Sequence, residues 1–239
     1  MSGHSKWSKV KHQKAVTDVV KSTAFTRASR ALTVAVHEGG GIADPDKNFR
    51  LRLAIEKARE VNMPKDTIER AIQRAVDAGS AAYEQVMYEG YGPGGIAMLV
   101  EAATDNHQRT SANIKHQFDR AGGSVASPGA VSFQFQRVGI LVVEKNGKSL
   151  DDMLESALAV NADNVIERTD MFEVYTKATA VASAKDQLVA QGWIVDNWEI
   201  IMQPTTMVQP PEDIRQKNEA LISELETLDD VQHVFSTME

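Results

Sequence analysis

"GILVVEKNGKSLDDMLESALAVNADNVIERTDMFEVYT", Gly139 to Thr176, changes its hydrophobic period twice within 38 residues. "GILVVEK" is a short apolar run with β-branched residues, the composition of a buried strand. "SLDDMLESALAV" changes to helical spacing behind a serine that can cap it. "NVIER" and "FEVYT" return to strand composition, separated by a short polar turn. Beyond them, "AVASAKDQLVAQG" reads as a helix and "WIVDNWEIIM" as a strand. The order is strand, helix, strand, strand, helix, strand: the ferredoxin-like βαββαβ arrangement.

The flanks read as a second α/β unit. "VMYEGYG" and "GIAMLVEAAT" are strand-like and joined by "GPGG". Thr104, Asp105 or Asn106 can cap the helix "HQRTSANIKHQFDRAGG", whose apolar face includes Ile114 and Phe118. "VSFQFQ" alternates and reads as a strand. On the other side, "TTMVQ" reads as a strand, "PEDIRQKNEALISELETL" as a helix and "VQHVFST" as a strand. These last elements exceed one βαββαβ unit. The simplest account returns them to the sheet begun near residue 86, making the βαββαβ unit an insertion.

The first third is helical. Phe25, Ala28, Leu32 and Ala35 form one apolar stripe. Leu51, Ile55, Ala58 and Val61 or Met63 form a second, and Ile68, Ala71, Ile72 and Ala75 a third. Gly39, Gly40 and Gly41 end the first helix, and Pro64 opens the last. "DAGSAAYEQ" reads as a linker. The expectation is an α+β multidomain chain: a helical N-terminal domain followed by two α/β domains of ferredoxin-like type, the third inserted in the second. The boundaries expected are 1–78, 79–136 with 204–239, and 137–203.

Charge is unevenly placed. The 239 residues carry −7 overall, but residues 1–74 hold fifteen Lys+Arg against eight Asp+Glu. They are therefore +7, and residues 75–239 are −14. The segment "GHSKWSKVKHQKA" brings four lysines, two histidines and Trp7 together with no acid before Asp18. The lysines stand two or three apart and cover a broad face, which suits backbone phosphates better than a single anionic ligand. Trp7 has two readings, a platform for an unpaired base and an anchor for the helical domain. Lys6, Trp7, Lys9, Lys11, His12, Lys14, Lys21, Arg27 and Arg30 are the candidate nucleic-acid contacts.

Other chemistry finds little support. The absence of cysteine excludes disulfides and thiolate sites. No HExxH pattern frames the six histidines, and no metal or cofactor is expected. "GYGPGG" joins two strands with no following lysine, so it reads as a hairpin turn and not a phosphate loop. Asp105 and His107 invite an acid–base reading, but no nucleophile or cofactor loop completes a site, and helix capping is the better account. A small-molecule enzyme using an inter-domain cleft is the rival of another class. No apolar run reaches bilayer-spanning length, so no membrane partner is expected; the lack of cysteine suits a reducing cytosol, and the cytoplasm is the expected location. Nothing specifies an oligomeric state.

"GHSKW", "KHQKA", "GGG", "RLRLAIEKAREVNMPKDTIERAI", "YEGYGPGG" and "TDNHQRT" together resemble the YebC/PmpR family across essentially the whole chain. Its bacterial members are probable transcriptional regulatory proteins, and it includes the mitochondrial translational activator of cytochrome oxidase subunit one. The resemblance implies three domains, the last inserted into the middle one, and no catalysis. It implies nucleic acid as partner: DNA, or ribosomal RNA with the ribosome, in aid of translating difficult stretches such as consecutive prolines. The positions that carry over are Lys6, Trp7, Lys11, His12 and Lys14, and a secondary polar patch of Asn106, Arg109 and Thr110. The chain departs from the family pattern at Phe49, where proline is frequent.

Overall fold

The computed structural model describes residues 18–77 and 83–239, with side chains from Ala24 onward. The fold is α+β: a helical N-terminal part followed by two four-stranded sheets. The chain divides into two compact units, residues 1–132 with 206–239, and residues 133–205 interrupting them.

The first unit begins with three helices, α1 (Asp18–Glu38), α2 (Phe49–Glu60) and α3 (Lys65–Val76). Their stripes meet in one core of Leu32, Ala35, Val36, Leu51, Ala54, Ala58, Met63, Ile68, Ala71 and Ala75. Phe25, Ala28, Ile55 and Ile72 pack around it half-buried. α2 stops before Val61, and Asn62 takes a left-handed conformation (φ 62°). That turn sends Met63 into the core and leaves Val61 outside, settling the choice the periodicity left open. Gly40 and Gly41 have φ of 72° and 79°, the region glycine enters without penalty. Buried Asn48 closes this loop: Nδ2 donates to the carbonyls of Ala35 and Ile42, and Oδ1 accepts from Leu51 N at the start of α2. Phe49 opens α2, the first helical position where proline is favoured, and Arg52 lies 5.7 Å from its ring centroid.

The same unit continues with β1 (Glu84–Tyr91), β2 (Ala97–Thr104), α4 (His107–Ala121) and β3 (Ser124–Ala126). β1 and β2 pair antiparallel up to Tyr91 opposite Ala97, so "GYGPGG" is a hairpin turn. Phe118 and Ile114 of α4 lie fully buried beneath Met98 and Val100. After residue 205 the unit resumes with α7 (Glu212–Thr227) and β8 (Val231–Ser236). The sheet order is β3-β1-β2-β8, with the hairpin at its centre. Two expectations change here. "TTMVQ" is not a strand: Pro204 and Pro210 bound it closely, and only a single bridge, Val208 to Met238, forms. The short edge strand β3 has no sequence signal beyond a glycine before it.

The second unit contains β4 (Phe135–Glu144), α5 (Leu150–Ala159), β5 (Asn164–Glu167), β6 (Met171–Lys177), α6 (Val181–Ala190) and β7 (Val195–Pro204). Its antiparallel sheet has the order β5-β6-β4-β7, the strand order of the ferredoxin-like arrangement. Gly139 on β4 lets α6 approach, since a Cβ there would meet Val181 at 2.5 Å. Trp193 packs edge-on to Phe172 and donates to Ser156 Oγ of α5 at 2.8 Å. The expected strand "VSFQFQ" is corrected: Ser132–Gln134 is a 3-10 turn, and Phe135 begins β4 directly.

Candidate nucleic-acid interface

The surplus of positive charge lies at the very start of the chain. Residues 1–30 hold seven Lys+Arg and one acid, whereas residues 31–74 hold eight and seven. The structure accounts for much of the second group locally. Arg50 pairs with Glu38, Lys47 with Asp44, Lys57 with Glu60, and Lys65 with Glu69. Lys6, Trp7, Lys9, Lys11, His12 and Lys14 lie outside the described residues, as does the side chain of Lys21, whose backbone belongs to α1. Residues 78–82 of the expected linker also lie outside them, and Glu84 and Gln85 already belong to β1.

Arg27 and Arg30 on α1 can be placed. Arg30 Nη1 lies 2.9 Å from Asp230 Oδ1, an ion contact whose angle falls short of a hydrogen bond. Its guanidinium also sits 5.4 Å from the Tyr83 ring centroid. Arg27 is half-buried, and its Nε and Nη2 are covered without a hydrogen-bond partner. Burial pulls the Arg27 guanidinium below its ordinary value, against the opposing attraction of Glu226 and Asp229.

The polar patch converges on the same aspartate. Asn106 caps α4, its Oδ1 accepting from Arg109 N at 3.0 Å. Arg109 Nη2 donates to Asp230 at 3.0 Å and to Asp105 at 2.8 Å. Those two carboxylates hold its guanidinium above its ordinary value, Asp230 first. Thr110 Oγ lies 2.5 Å from Asp230 Oδ2 and 2.7 Å from Thr104 Oγ. A carboxylate only accepts, so Thr110 donates to Asp230 and Thr104 must donate to Thr110. Thr104 Oγ in turn accepts from Asn106 N. The result is a relay of aligned hydrogen bonds ending on a buried carboxylate, each link polarising the next. Asp230 N-terminal to β8 is further held through its carbonyl, which accepts from Ala103 N of β2.

Two of the nine N-terminal candidates and all three patch residues thus gather at one junction between α1, α4 and the start of β8. Periodicity missed Asp230, which reads as a surface turn in "TLDDVQH"; its neighbour Asp229 is indeed exposed. Asp105 and His107 do not form the acid–base pair considered above. Asp105 binds Arg109, and His107 Nε2 lies 2.9 Å from Glu84. Among the described residues no group of three His, Asp or Glu is placed to hold a metal ion. None of their helices is long and apolar enough to cross a membrane.

Buried Glu89 on β1 is a second carboxylate that sequence reasoning passed over. Its oxygens accept from the backbone N–H groups of Gly129, Val131 and Ser132 at 2.7, 2.7 and 2.9 Å. Burial alone would push this carboxyl up. The three N–H donors outweigh it and hold it below the usual carboxylate range.

Comparison with known proteins follows the same lines. The family model described as "TACO1/YebC protein N-terminal domain" matches residues 5–78. The model described as "TACO1/YebC second and third domain" matches residues 83–238. A "Probable transcriptional regulatory protein" of Chloroflexus aggregans is 43% identical over 242 residues, covering 100% of this chain and 96% of that one. One of the same name from Lacticaseibacillus paracasei is 42% identical over 238 residues, covering 99% and 97%. The crystal structure of a conserved hypothetical protein from Aquifex aeolicus superposes with TM-score 0.87 at 36% identity, covering 98% and 97%.

Proposed function

The chain belongs to the TACO1/YebC family, and from that membership and its charge distribution we propose that it is a non-enzymatic, nucleic-acid-binding regulator of gene expression that acts on DNA in transcription. The relatives carry the name "Probable transcriptional regulatory protein". The observation that carries the reading is the polarity of charge. Residues 1–30 are strongly cationic, while residues 75–239 are acidic enough to repel a polyanion. Nucleic acid then engages through Lys6, Lys9, Lys11, Lys14 and Lys21, with Trp7 and His12 among them.

Phosphate contacts give affinity without sequence information. The same end therefore fits ribosomal RNA, and a ribosome-associated role in translation is the second reading. Replacing Lys6, Lys9, Lys11 and Lys14 with glutamine removes four charges and keeps polarity. If each lysine meets one phosphate, the slope of log affinity against log salt flattens by about 3–4, at roughly 0.7–0.9 per contact. Unchanged affinity and slope on both duplex DNA and RNA would sink the reading. Sedimentation of lysate separates the two targets: co-migration with ribosomal subunits favours translation, and nuclease-sensitive capture of promoter fragments favours transcription.

A further inference from the structure

We infer that the acidic segment Glu226 to Asp230, from the end of α7 to the start of β8, is an internal latch that pairs with Arg30 and keeps Arg27 of α1 covered until a polyanion displaces it. The inference rests on the regulator reading above and adds a device to it.

Three features of the junction argue for a latch poised to open. The first is chemical likeness: the Asp230 carboxylate meets Arg30 at 2.9 Å, and the charges of Glu226 and Asp229 attract Arg27, two arginines of the most cationic stretch of the chain. A carboxylate offers arginine the same paired oxygen acceptors that a phosphate does. The second is the asymmetry of the Arg30 pair. Asp230 is buried, and a buried carboxylate stripped of its partners is costly. Yet without Arg30 it keeps Arg109, Thr110 and the threonine relay behind Thr110. The α/β side of the junction is therefore satisfied whether Arg30 is present or absent.

The third feature is the state of Arg27. Its Nε and Nη2 are shielded from water without hydrogen-bond partners, so the closed junction leaves a guanidinium desolvated and under-satisfied. A phosphate can supply the forked acceptors that this geometry withholds. Opening thus relieves a cost on the α1 side and creates little on the other. The closed form lowers apparent affinity, because only the fraction of molecules with free arginines is fully competent.

Two measurements test this on the full chain. Glu226→Gln with Asp229→Asn removes the attraction that the latch exerts on Arg27 and leaves Asp230 with its partners Arg109 and Thr110 in place. Its charge-matched control is Glu212→Gln with Glu224→Gln, elsewhere on α7. If the open form is about one tenth of the population, the first variant binds a mixed-sequence single-stranded RNA or duplex DNA about ten-fold more tightly than the control. Equal affinities overturn the latch while leaving the nucleic-acid reading intact.

The second measurement is of distance. The chain has no cysteine, so Arg59→Cys on α2 and Lys115→Cys on α4, both exposed, accept a pair of spin labels without background. A single distance is expected for the free protein, and a second, longer one on adding the oligonucleotide. Arg30→Gln should produce the longer population without any ligand, and Arg30→Lys should largely restore the single one. If no oligonucleotide binds, the regulator reading falls, and the latch then stands or falls on the Arg30→Gln distances alone. An unchanged distribution in that variant overturns it.

Discussion

Glu89 shows how one residue can fasten a loop. A charged carboxylate this well covered persists only with strong donors, and it has three backbone N–H groups of the segment 129–132. Hydrogen bonds to a charged group contribute about 1.5–3 kcal/mol. Glu89→Gln leaves one carbonyl oxygen to accept and turns an NH2 towards a backbone donor. A loss of about 1.5–3 kcal/mol is expected, read as a lower denaturant midpoint at unchanged slope. The sign of the pH dependence follows from the depressed pKa. Glu89's contribution is fully present above its ordinary value of 4.5 and is lost as pH falls through its lower folded value. The variant should therefore lose less stability than the parent between neutral pH and that acid range; parallel curves would refute the assignment.

At the scale of elements, the start of α4 is decided by Asn106. Thr104 and Asp105 are chemically able to cap, but Thr104 is engaged with Thr110 and Asp105 with Arg109. Asn106→Ala should cost about 1 kcal/mol, and Asn106→Asp or Asn106→Ser should recover most of it. Were Asn106 chiefly a nucleic-acid contact, the alanine variant would keep its thermal midpoint and lose affinity instead. The correction at Ser132–Gln134 has a physical cause on the same scale. "VSFQFQ" alternates with period two, yet the N–H groups of Val131 and Ser132 are taken by Glu89. A ladder cannot use donors that a side chain already holds, so pairing with β7 begins only at Phe135.

For the whole molecule, we propose the three-part division read from the sequence, with residues 137–203 as an inserted domain. The two chain crossings of that unit are hydrogen-bonded neighbours. Gln134 O accepts from Thr205 N at 2.8 Å and from Thr205 Oγ1 at 3.0 Å. Phe135 stands opposite Pro204 and Gln136 opposite Gln203. Ends this close can be joined without pulling on the remainder. A chain in which Gln136 is joined to Pro204 through a short Gly/Ser linker should unfold cooperatively, and residues 133–205 alone should do likewise. A soluble but non-cooperative product in either case would show that the two units depend on each other for stability.

Local period and local chemistry along the chain carry a large part of this protein. Three apolar stripes specified three helices. The change from strand to helix spacing in Gly139–Thr176 specified the βαββαβ unit, and glycine-rich turns marked the hairpin between β1 and β2. The lopsided charge pointed to a polyanion. The partners of those charges are set by folding. Asp230 meets Thr110 and Arg109 from 120 and 121 residues away, and Arg30 of α1 from the other end of the chain. Glu89 holds donors about forty residues downstream. No periodicity records such pairs, because a side chain's spacing along the chain fixes the face it occupies and not the distant group that folding brings to that face.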